Sequence, residues 1–376
     1  MRNLMIVLVF LSCLVANAQK KRSGDYGIKI GILKTGVHDA ITDVPGVKVG
    51  HVTIIQGDSV NTGATAIIPH SENIFQNKVP AAIYIGNGFG KLTGYPQVEE
   101  LGNIETPIVL TNTLSVPVAI NALIDYTFQY PENKNVRSIN SIVGETNDGV
   151  LNDIRKRYLS KEQILQAISN ADTGVVKEGN VGAGTGTSCF GFKGGIGTAS
   201  RILPKSRGGY TVGVLVQSNY GGILQINGVP IGIELECYTF KEIEHEYKED
   251  GSCMIVIMTD APLNPKNLKR LASRAMFGIA RTGGIESNSS GEFAIAVSTA
   301  KDLRIPYFSG SMFDEFKVLR NDKLDILFEA VIEATEEAII NSLFAAKTVL
   351  GRDNVKIEAL PIEKSLEILK KYNRIK

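Results

Sequence analysis

Short apolar runs separated by glycine-rich turns dominate the first half of the chain. Runs of this length, bounded by turn residues, predict strands at 64–68, 81–86, 107–111 and 210–217. The glycine-rich residues 86–90 predict a tight loop after the second of these strands. We therefore expect the first half to consist mainly of strands.

Helices are indicated where a capping signal precedes an apolar stripe. Pro117 suits the first turn of a helix, and Ser160 with Gln163 forms a capping box. Asn264 and Pro265 make an N-cap and first-turn pair. The predicted helices cover 117–128, 160–169, 264–283 and 324–342.

Two further strands and a linker are predicted in the second half. Residues 253–258 are a continuous apolar run, which is typical of a strand buried on both faces, and residues 293–297 alternate as a strand. Residues 241–250 carry mixed charge without apolar periodicity and predict an exposed linker. Because strands and helices are interleaved throughout, we expect a layered α/β fold.

The first 18 residues have the composition of a secretory signal. Arg2 precedes an apolar core over residues 4–15, and residues 16–18 supply a small-x-small cleavage pattern. This core is shorter than the roughly 20 residues of a membrane span, and an N-terminal anchor helix is the alternative interpretation. We expect the signal to be removed, leaving a single domain over 19–376 that is periplasmic or secreted and has no membrane partner.

Composition excludes several classes of protein. The 40 Lys+Arg and 39 Asp+Glu leave a formal net charge of +1, which lacks the basic footprint of a nucleic-acid-binding protein. The cysteines after the signal are Cys189, Cys237 and Cys253, without metal-binding spacing, and neither HExxH nor GxSxG is present. We therefore expect no metal site and no cofactor.

The junction Gly251-Ser252 joins the charged linker to the buried strand. An ordinary turn is one interpretation, because Asp, Gly and Ser favour turns. The chemistry suggests another. Glycine gives little steric cover to its own carbonyl, so the Ser252 hydroxyl could attack that peptide bond. If the bond is cut, Ser252 gains an α-amine with a reference pKa of about 7.7–8.0, which suits a general base.

The glycine-rich motifs resemble those of the P1 family of serine peptidases, which contains the L-aminopeptidase/D-esterases and the β-peptidyl aminopeptidases. The longest are GNVGAGTG at 179–186 and GFKGGIGTASR at 191–201. The remaining matching segments are 42–51, 86–88, 144–149, 213–219, 251–252, 259–263 and 290–292. The resemblance therefore covers nearly the whole mature chain.

The resemblance implies a fold, a processing event and an assembly. The fold is an αββα four-layer sandwich, similar in architecture to N-terminal-nucleophile hydrolases but with distinct connectivity. Self-cleavage between Gly251 and Ser252 would give an α chain, 19–251, and a β chain, 252–376, that stay together. Family members assemble as homo-oligomers.

The resemblance also implies a role for each site residue. Ser252 would be the nucleophile of an acyl-enzyme, and Asn219 would donate to the developing oxyanion. Ser290 and Glu292 resemble the pair beside the nucleophile, and their spacing on a strand places both on one face. Alternatively, Asn219 is only a turn residue. Ser290 and Glu292 could likewise lie on a solvated loop rim.

Glu145 matches the acidic residue that receives the free amine of the substrate, a small peptide, amide or ester; a surface carboxylate is the alternative. Some family members have an aromatic residue after it, where this chain has Thr146. Asn87 and Asn112 are expected to help shape the pocket. The sequence leaves open whether the substrate is an α- or a β-aminoacyl compound.

Three alternatives remain at this point. The stretch 179–197 could be a phosphate cradle of a nucleotide-binding protein, although it has neither a strict GxGxxG nor a GK[ST] motif. The chain could also be an exported ligand-binding protein without hydrolase activity. Self-cleavage could instead occur at Gly186-Thr187, as before the threonine of ornithine acetyltransferases of the same broad fold.

Overall fold

The computed structural model describes residues 22–242 and 251–376. The signal sequence predicted at 1–18 lies outside the described residues, as does most of the linker predicted at 241–250. No helix within the described ranges is long and apolar enough to cross a membrane.

The described chain alternates strands with helices. The strands are β1 Lys48–Gln56, β2 Val60–Ile68, β3 Asn77–Gly88, β4 Asn103–Ile104, β5 Ile108–Asn112, β6 Ile142–Thr146, β7 Ser188–Cys189, β8 Phe192–Lys193, β9 Gly195–Ile202, β10 Thr211–Asn219, β11 Gly251–Thr259, β12 Ser290–Ser298, β13 Ile305–Pro306, β14 Val349–Leu350 and β15 Lys356–Ile357. The α-helices are α1 Tyr95–Leu101, α2 Val116–Phe128, α3 Lys161–Ser169, α4 Ile231–Glu234, α5 Pro265–Ala272, α6 Ala275–Arg281, α7 Asp325–Ala345 and α8 Ile362–Lys371.

Two sheets form the middle of the molecule. The larger sheet has the order β13-β3-β12-β11-β10-β9, with β4 paired to β3, and the smaller has the order β1-β2-β5-β6. β11 and β12 run parallel, as do β5 and β6, whereas the other neighbours are antiparallel. The apolar run predicted as a doubly buried strand lies in β11, at the centre of the larger sheet.

Helices cover the outer face of each sheet. Ile255 and Ile257 of β11 belong to the core shared with α5, α6 and α7, while Met254 and Val256 belong to the core between the two sheets. α2 and α3 pack on the other face of the smaller sheet. At Gly197, a β-carbon would meet the Ala338 carbonyl at 1.9 Å, so glycine is needed for α7 to lie against β9. The architecture is the predicted αββα sandwich.

The structure confirms most predicted elements and corrects three. The predicted loop 86–90 begins later, because β3 continues through Gly88, where it pairs with Gly291. β10 likewise continues to Asn219, paired with β11. The helix predicted over 264–283 is two helices, since the Arg274 N–H donates to the Leu271 carbonyl three residues back, which ends α5.

The glycine-rich stretch 179–197 is a short 3-10 turn at Gly182–Gly184, the hairpin β7–β8 and the beginning of β9. It therefore does not open a helix, as a phosphate-binding loop does. Thr187, the alternative cleavage residue, is fully buried, and its hydroxyl donates to the Gly184 carbonyl at 3.2 Å.

Candidate active site

The ends of four neighbouring strands lie side by side at one end of the larger sheet. β11 and β12 begin there, and their antiparallel neighbours β10 and β3 end there. The register places Ser252 between Asn219 on one side and Gly291 on the other. Residues that are far apart in the sequence are thereby held on rigid strands around one serine.

Ser252 lies at the wall of a cavity of about 320 Å³. The side chain is only 5% exposed, and its hydroxyl has no hydrogen-bond partner among the described residues. Gly251 precedes it, and a β-carbon at Gly251 would come within 2.7 Å of Ser290 Oγ. Glycine at 251 thus lets the Ser290 hydroxyl lie directly against the residue whose carbonyl Ser252 would attack.

Two backbone groups set the orientation of the Asn219 side chain. The Ser188 N–H donates to its Oδ1 at 3.0 Å, and its Nδ2 donates to the Asn147 carbonyl at 3.2 Å. Because one partner can only donate and the other can only accept, the positions of the amide oxygen and nitrogen are determined. The second N–H of the same nitrogen remains available for a substrate oxygen.

Ser290 and Glu292 form a hydrogen-bonded pair at the beginning of β12. Ser290 Oγ donates to Glu292 Oε1, both side chains are 1% exposed, and Oε2 has no hydrogen-bond partner among the described residues. Burial raises the pKa of the Glu292 carboxyl to about 7; the hydrogen bond from Ser290 opposes the rise and the charge of Glu286 adds to it. This carboxyl therefore changes charge near neutral pH, as proton-transferring groups commonly do.

Glu145 places a buried carboxylate in the same cavity as Ser252. It extends from the end of β6, in the smaller sheet, and is 4% exposed. Its Oε1 accepts from the Lys91 N–H at 2.9 Å, and its Oε2 accepts from the Thr113 hydroxyl. The Lys91 ammonium lies 3.9 Å from Oε1, at the edge of ion-pair distance. The cavity thus has the Ser252 hydroxyl on one wall and the Glu145 carboxyl group on another.

The two predicted pocket asparagines support neighbouring segments. Asn87 Nδ2 donates to the carbonyls of Ser287 at 2.9 Å and Asn288 at 3.2 Å, and also to that of Ser290, so it holds the loop before β12. Asn112 donates to the Thr62 hydroxyl at 2.8 Å and to Asp148 at 3.2 Å. Neither is among the residues that form the cavity wall at Ser252.

Sequence reasoning missed Asn147 and Thr113, which both line this cavity. Asn147 lies two residues after Glu145, within the family-matching segment 144–149, so the sequence could have identified it as a site residue. Thr113 directly follows β5 and belongs to no family motif, so the sequence gave no reason to select it. The described residues contain no group of three or more His, Cys, Asp or Glu side chains placed to hold a metal ion.

Comparison with known proteins gives consistent matches along the chain. The model of peptidase family S58 matches residues 39–357. The beta-peptidyl aminopeptidase BapA of Sphingosinicella microcystinivorans is 39% identical over 386 residues, covering 96% of this chain and 94% of that protein.

Two solved aminopeptidase structures share the fold. A beta-aminopeptidase from Burkholderia sp. has a TM-score of 0.85 at 39% identity and covers 93% of this chain and 99% of its own. The L-aminopeptidase D-Ala-esterase/amidase from Ochrobactrum anthropi is described as a variant of the Ntn hydrolase fold. It has a TM-score of 0.87 at 35% identity, and the match covers 94% of this chain and 99% of that one. These matches confirm the predicted family resemblance and fold class, and they contradict the alternative of a binding protein without hydrolase activity.

Proposed function

The chain belongs to peptidase family S58 and is a serine-type aminopeptidase; on that premise we propose that it processes itself at Gly251-Ser252. The mature enzyme then releases N-terminal residues from short peptides, amides or esters through an acyl-enzyme on Ser252. The observation that carries this proposal is the cavity in which Ser252 and the buried carboxylate of Glu145 face a common space.

Self-processing follows from the chemistry of the junction. Ser252 Oγ attacks the Gly251 carbonyl carbon, an ester bond forms, and the peptide C–N bond breaks. The former amide nitrogen takes up a proton and becomes the α-amine of Ser252. Water then hydrolyses the ester, which leaves Gly251 with a carboxylate and restores the Ser252 hydroxyl.

Substrate turnover reuses the same groups. The substrate's ammonium group binds Glu145, which places its first carbonyl between Ser252 and Asn219. The α-amine of Ser252 takes the hydroxyl proton as the acyl-enzyme forms, while Asn219 donates to the oxyanion. The Ser290–Glu292 pair supports proton transfer to the leaving amine, and water then releases the acyl group.

No step requires a metal ion, and we expect activity to survive prolonged chelation.

The pH profile should report both the Ser252 amine and Glu292. The amine is active when deprotonated because it takes the Ser252 proton, and Glu292 is active as a carboxylate because it accepts the hydrogen bond that orients Ser290. The value of kcat/KM should therefore rise with pH through about 7 for Glu292 and through about 8 for the amine. In Glu292→Gln, kcat should fall roughly 10²-fold. The rising limb should then fit a single proton instead of two. A two-proton limb that persists in this variant would exclude Glu292 from the profile.

The decisive substrate experiment is a panel of α- and β-aminoacyl p-nitroanilides, each paired with its N-acetylated form. The relatives include enzymes named for β-peptides and one named for L-amino acids, so both classes belong in the panel. One methylene between amine and carbonyl separates them, and this discriminates by only about 1–3 kcal/mol. We expect free-amine substrates to be cleaved and acetylated ones to be resistant. Equal cleavage of both would show that the enzyme is not an aminopeptidase.

We also propose that the protein forms a homo-oligomer. The segment 307–316 exposes Phe308 to 84%, Met312 to 93% and Phe313 to 77%. Large apolar side chains clustered on a surface are typical of interaction sites. Sedimentation equilibrium tests this directly, and a monomer at micromolar concentration would contradict it.

The location is a further proposal, which rests on the signal-like residues 1–18. The mature protein is exported and periplasmic or secreted. Cell fractionation, with the N-terminus of the larger chain sequenced, tests the proposal; a larger chain that begins at Met1 in the cytoplasm would contradict it.

A further inference from the structure

A second cavity, of about 550 Å³, lies beside the end of β10. Its size falls within the range of small-ligand sites. Its wall is formed by Asn147, Gly149, Val150, Ile154, Ser188, Gly191, Asn219, Tyr220, Gly221 and Ile357. It is distinct from the cavity that contains Glu145, and the proposed mechanism has not used it.

The two cavities lie on opposite sides of Ser252 along the sheet. The sheet order is β3-β12-β11-β10, and the Glu145 cavity is bordered by the end of β3 and by Ser289, just before β12. The second cavity is bordered by Asn219 and the two residues that follow β10. Asn147 lines both cavities. Ser252 and Asn219 therefore lie between the two cavities, which adjoin each other at Asn147.

This arrangement matches the two sides of a scissile bond. The first residue of the substrate is held in the smaller cavity through its ammonium group at Glu145. Because the two substituents of a trigonal carbonyl carbon point away from each other, the leaving group is directed past Asn219. The space on that side is the second cavity.

The chemistry of its wall indicates what the cavity accepts. Val150 is 52% exposed and Ile154 and Ile357 are partly buried, so apolar surface is available at the wall. None of the described wall residues carries a charge. An apolar side chain would gain from burial there, whereas a carboxylate would lose water without meeting a cation.

We propose that this second cavity is the leaving-group subsite and that it selects an uncharged, apolar residue immediately after the scissile bond. This inference rests on the proposed aminopeptidase function and specifies its substrate class.

The test uses dipeptide amides that share the best first residue of the p-nitroanilide panel and carry Leu, Gly or Asp as the second residue. For the wild-type enzyme we expect kcat/KM for the Leu amide to exceed that for the Asp amide roughly tenfold. Val150→Asp should lower the Leu-amide value, and Val150→Lys should raise the Asp-amide value, each by about two- to fivefold. The matched control is Val175→Asp, at a site that is 59% exposed and lines neither cavity.

The acyl-enzyme is consumed either by water or by an added amine. The ratio of these two reactions does not depend on how much of the protein is correctly folded. An added amine that attacks the acyl-enzyme must occupy the leaving-group subsite, by microscopic reversibility. The ratio of aminolysis to hydrolysis should therefore be higher with leucinamide than with the α-amide of aspartic acid, which keeps its side-chain carboxylate. Val150→Lys should reduce this preference, because its ammonium can pair with the carboxylate, and Val175→Asp should leave it unchanged.

The outcomes separate the two proposals. If no free-amine substrate is cleaved, the proposed function and the subsite both fail. If substrates are cleaved with equal kcat/KM for Leu and Asp amides, or if the Val150 variants leave both ratios unchanged, the subsite alone is overturned.

Discussion

Replacing Ser252 with alanine is expected to leave the protein as one uncut chain without aminopeptidase activity. Alanine has no hydroxyl to attack the Gly251 carbonyl, so neither the ester nor the new amine can form. The wild-type protein should run as two chains, and N-terminal sequencing of the smaller should begin Ser-Cys-Met-Ile. The loss of activity should be large and should not be divisible between nucleophile and base, because Ser252 supplies both.

Ser298→Ala provides the matched control for Ser252→Ala. Ser298 is also a fully buried strand serine, at the opposite end of β12, where its hydroxyl donates to the Ala261 carbonyl. This variant should still be cut. Ser252→Cys is a weaker test, since a thiol is also a competent nucleophile. A wild-type protein that is fully active as a single chain would contradict self-processing.

The second large effect is expected from Glu145→Gln. The variant removes the charge that we propose holds the substrate's ammonium group, and charge-assisted hydrogen bonds contribute roughly 1.5–3 kcal/mol. For free-amine substrates, kcat/KM should therefore fall about 10- to 150-fold. The glutamine oxygen can still accept from the Lys91 N–H, and its amide can donate to the Thr113 hydroxyl, so the local hydrogen bonds survive.

The informative measurement for Glu145→Gln is the ratio of kcat/KM between free and N-acetylated substrates. This ratio should move toward one, because only the free amine loses a partner. Glu105→Gln serves as control: Glu105 is also 4% exposed, but it pairs with Lys78 and accepts from the Asn140 N–H. An unchanged ratio in Glu145→Gln would rule out amine recognition by this carboxylate.

Much of the fold was predictable because local signals and tertiary packing agree. The capping box of Ser160 and Gln163 is present at the beginning of α3, and the apolar run after Ser252 is buried throughout. The break between α5 and α6 was not predictable from periodicity, since the apolar stripe continues across it. Strand ends at Gly88 and Asn219 were also missed, because pairing with a neighbouring strand overrides the turn preference of glycine and asparagine.

The candidate site likewise has features that the sequence predicted and features that it did not. The spacing of Ser290 and Glu292 predicted a shared strand face, and the structure brings them into direct contact. The partners of Asn87 lie about 200 positions further along the chain, and no local pattern reports a contact of that kind. The elevated pKa of Glu292 likewise depends on burial among distant elements, which the sequence alone does not specify.

The strand order of the larger sheet has a consequence for folding. β3, β9 and β10 come from before Gly251, whereas β11, which begins at Gly251, and β12 and β13 come from the segment after it. The two groups are interleaved in the sheet, because β3 lies between β13 and β12. If the bond is cut as proposed, the ladders between β3 and β12 and between β10 and β11 would join two molecules instead of one. The intact precursor assembles this sheet by unimolecular folding, but a denatured mature enzyme would have to regain it by a second-order encounter. Its recovery would therefore depend on concentration, and the native state would persist through slow unfolding more than through reversible equilibrium.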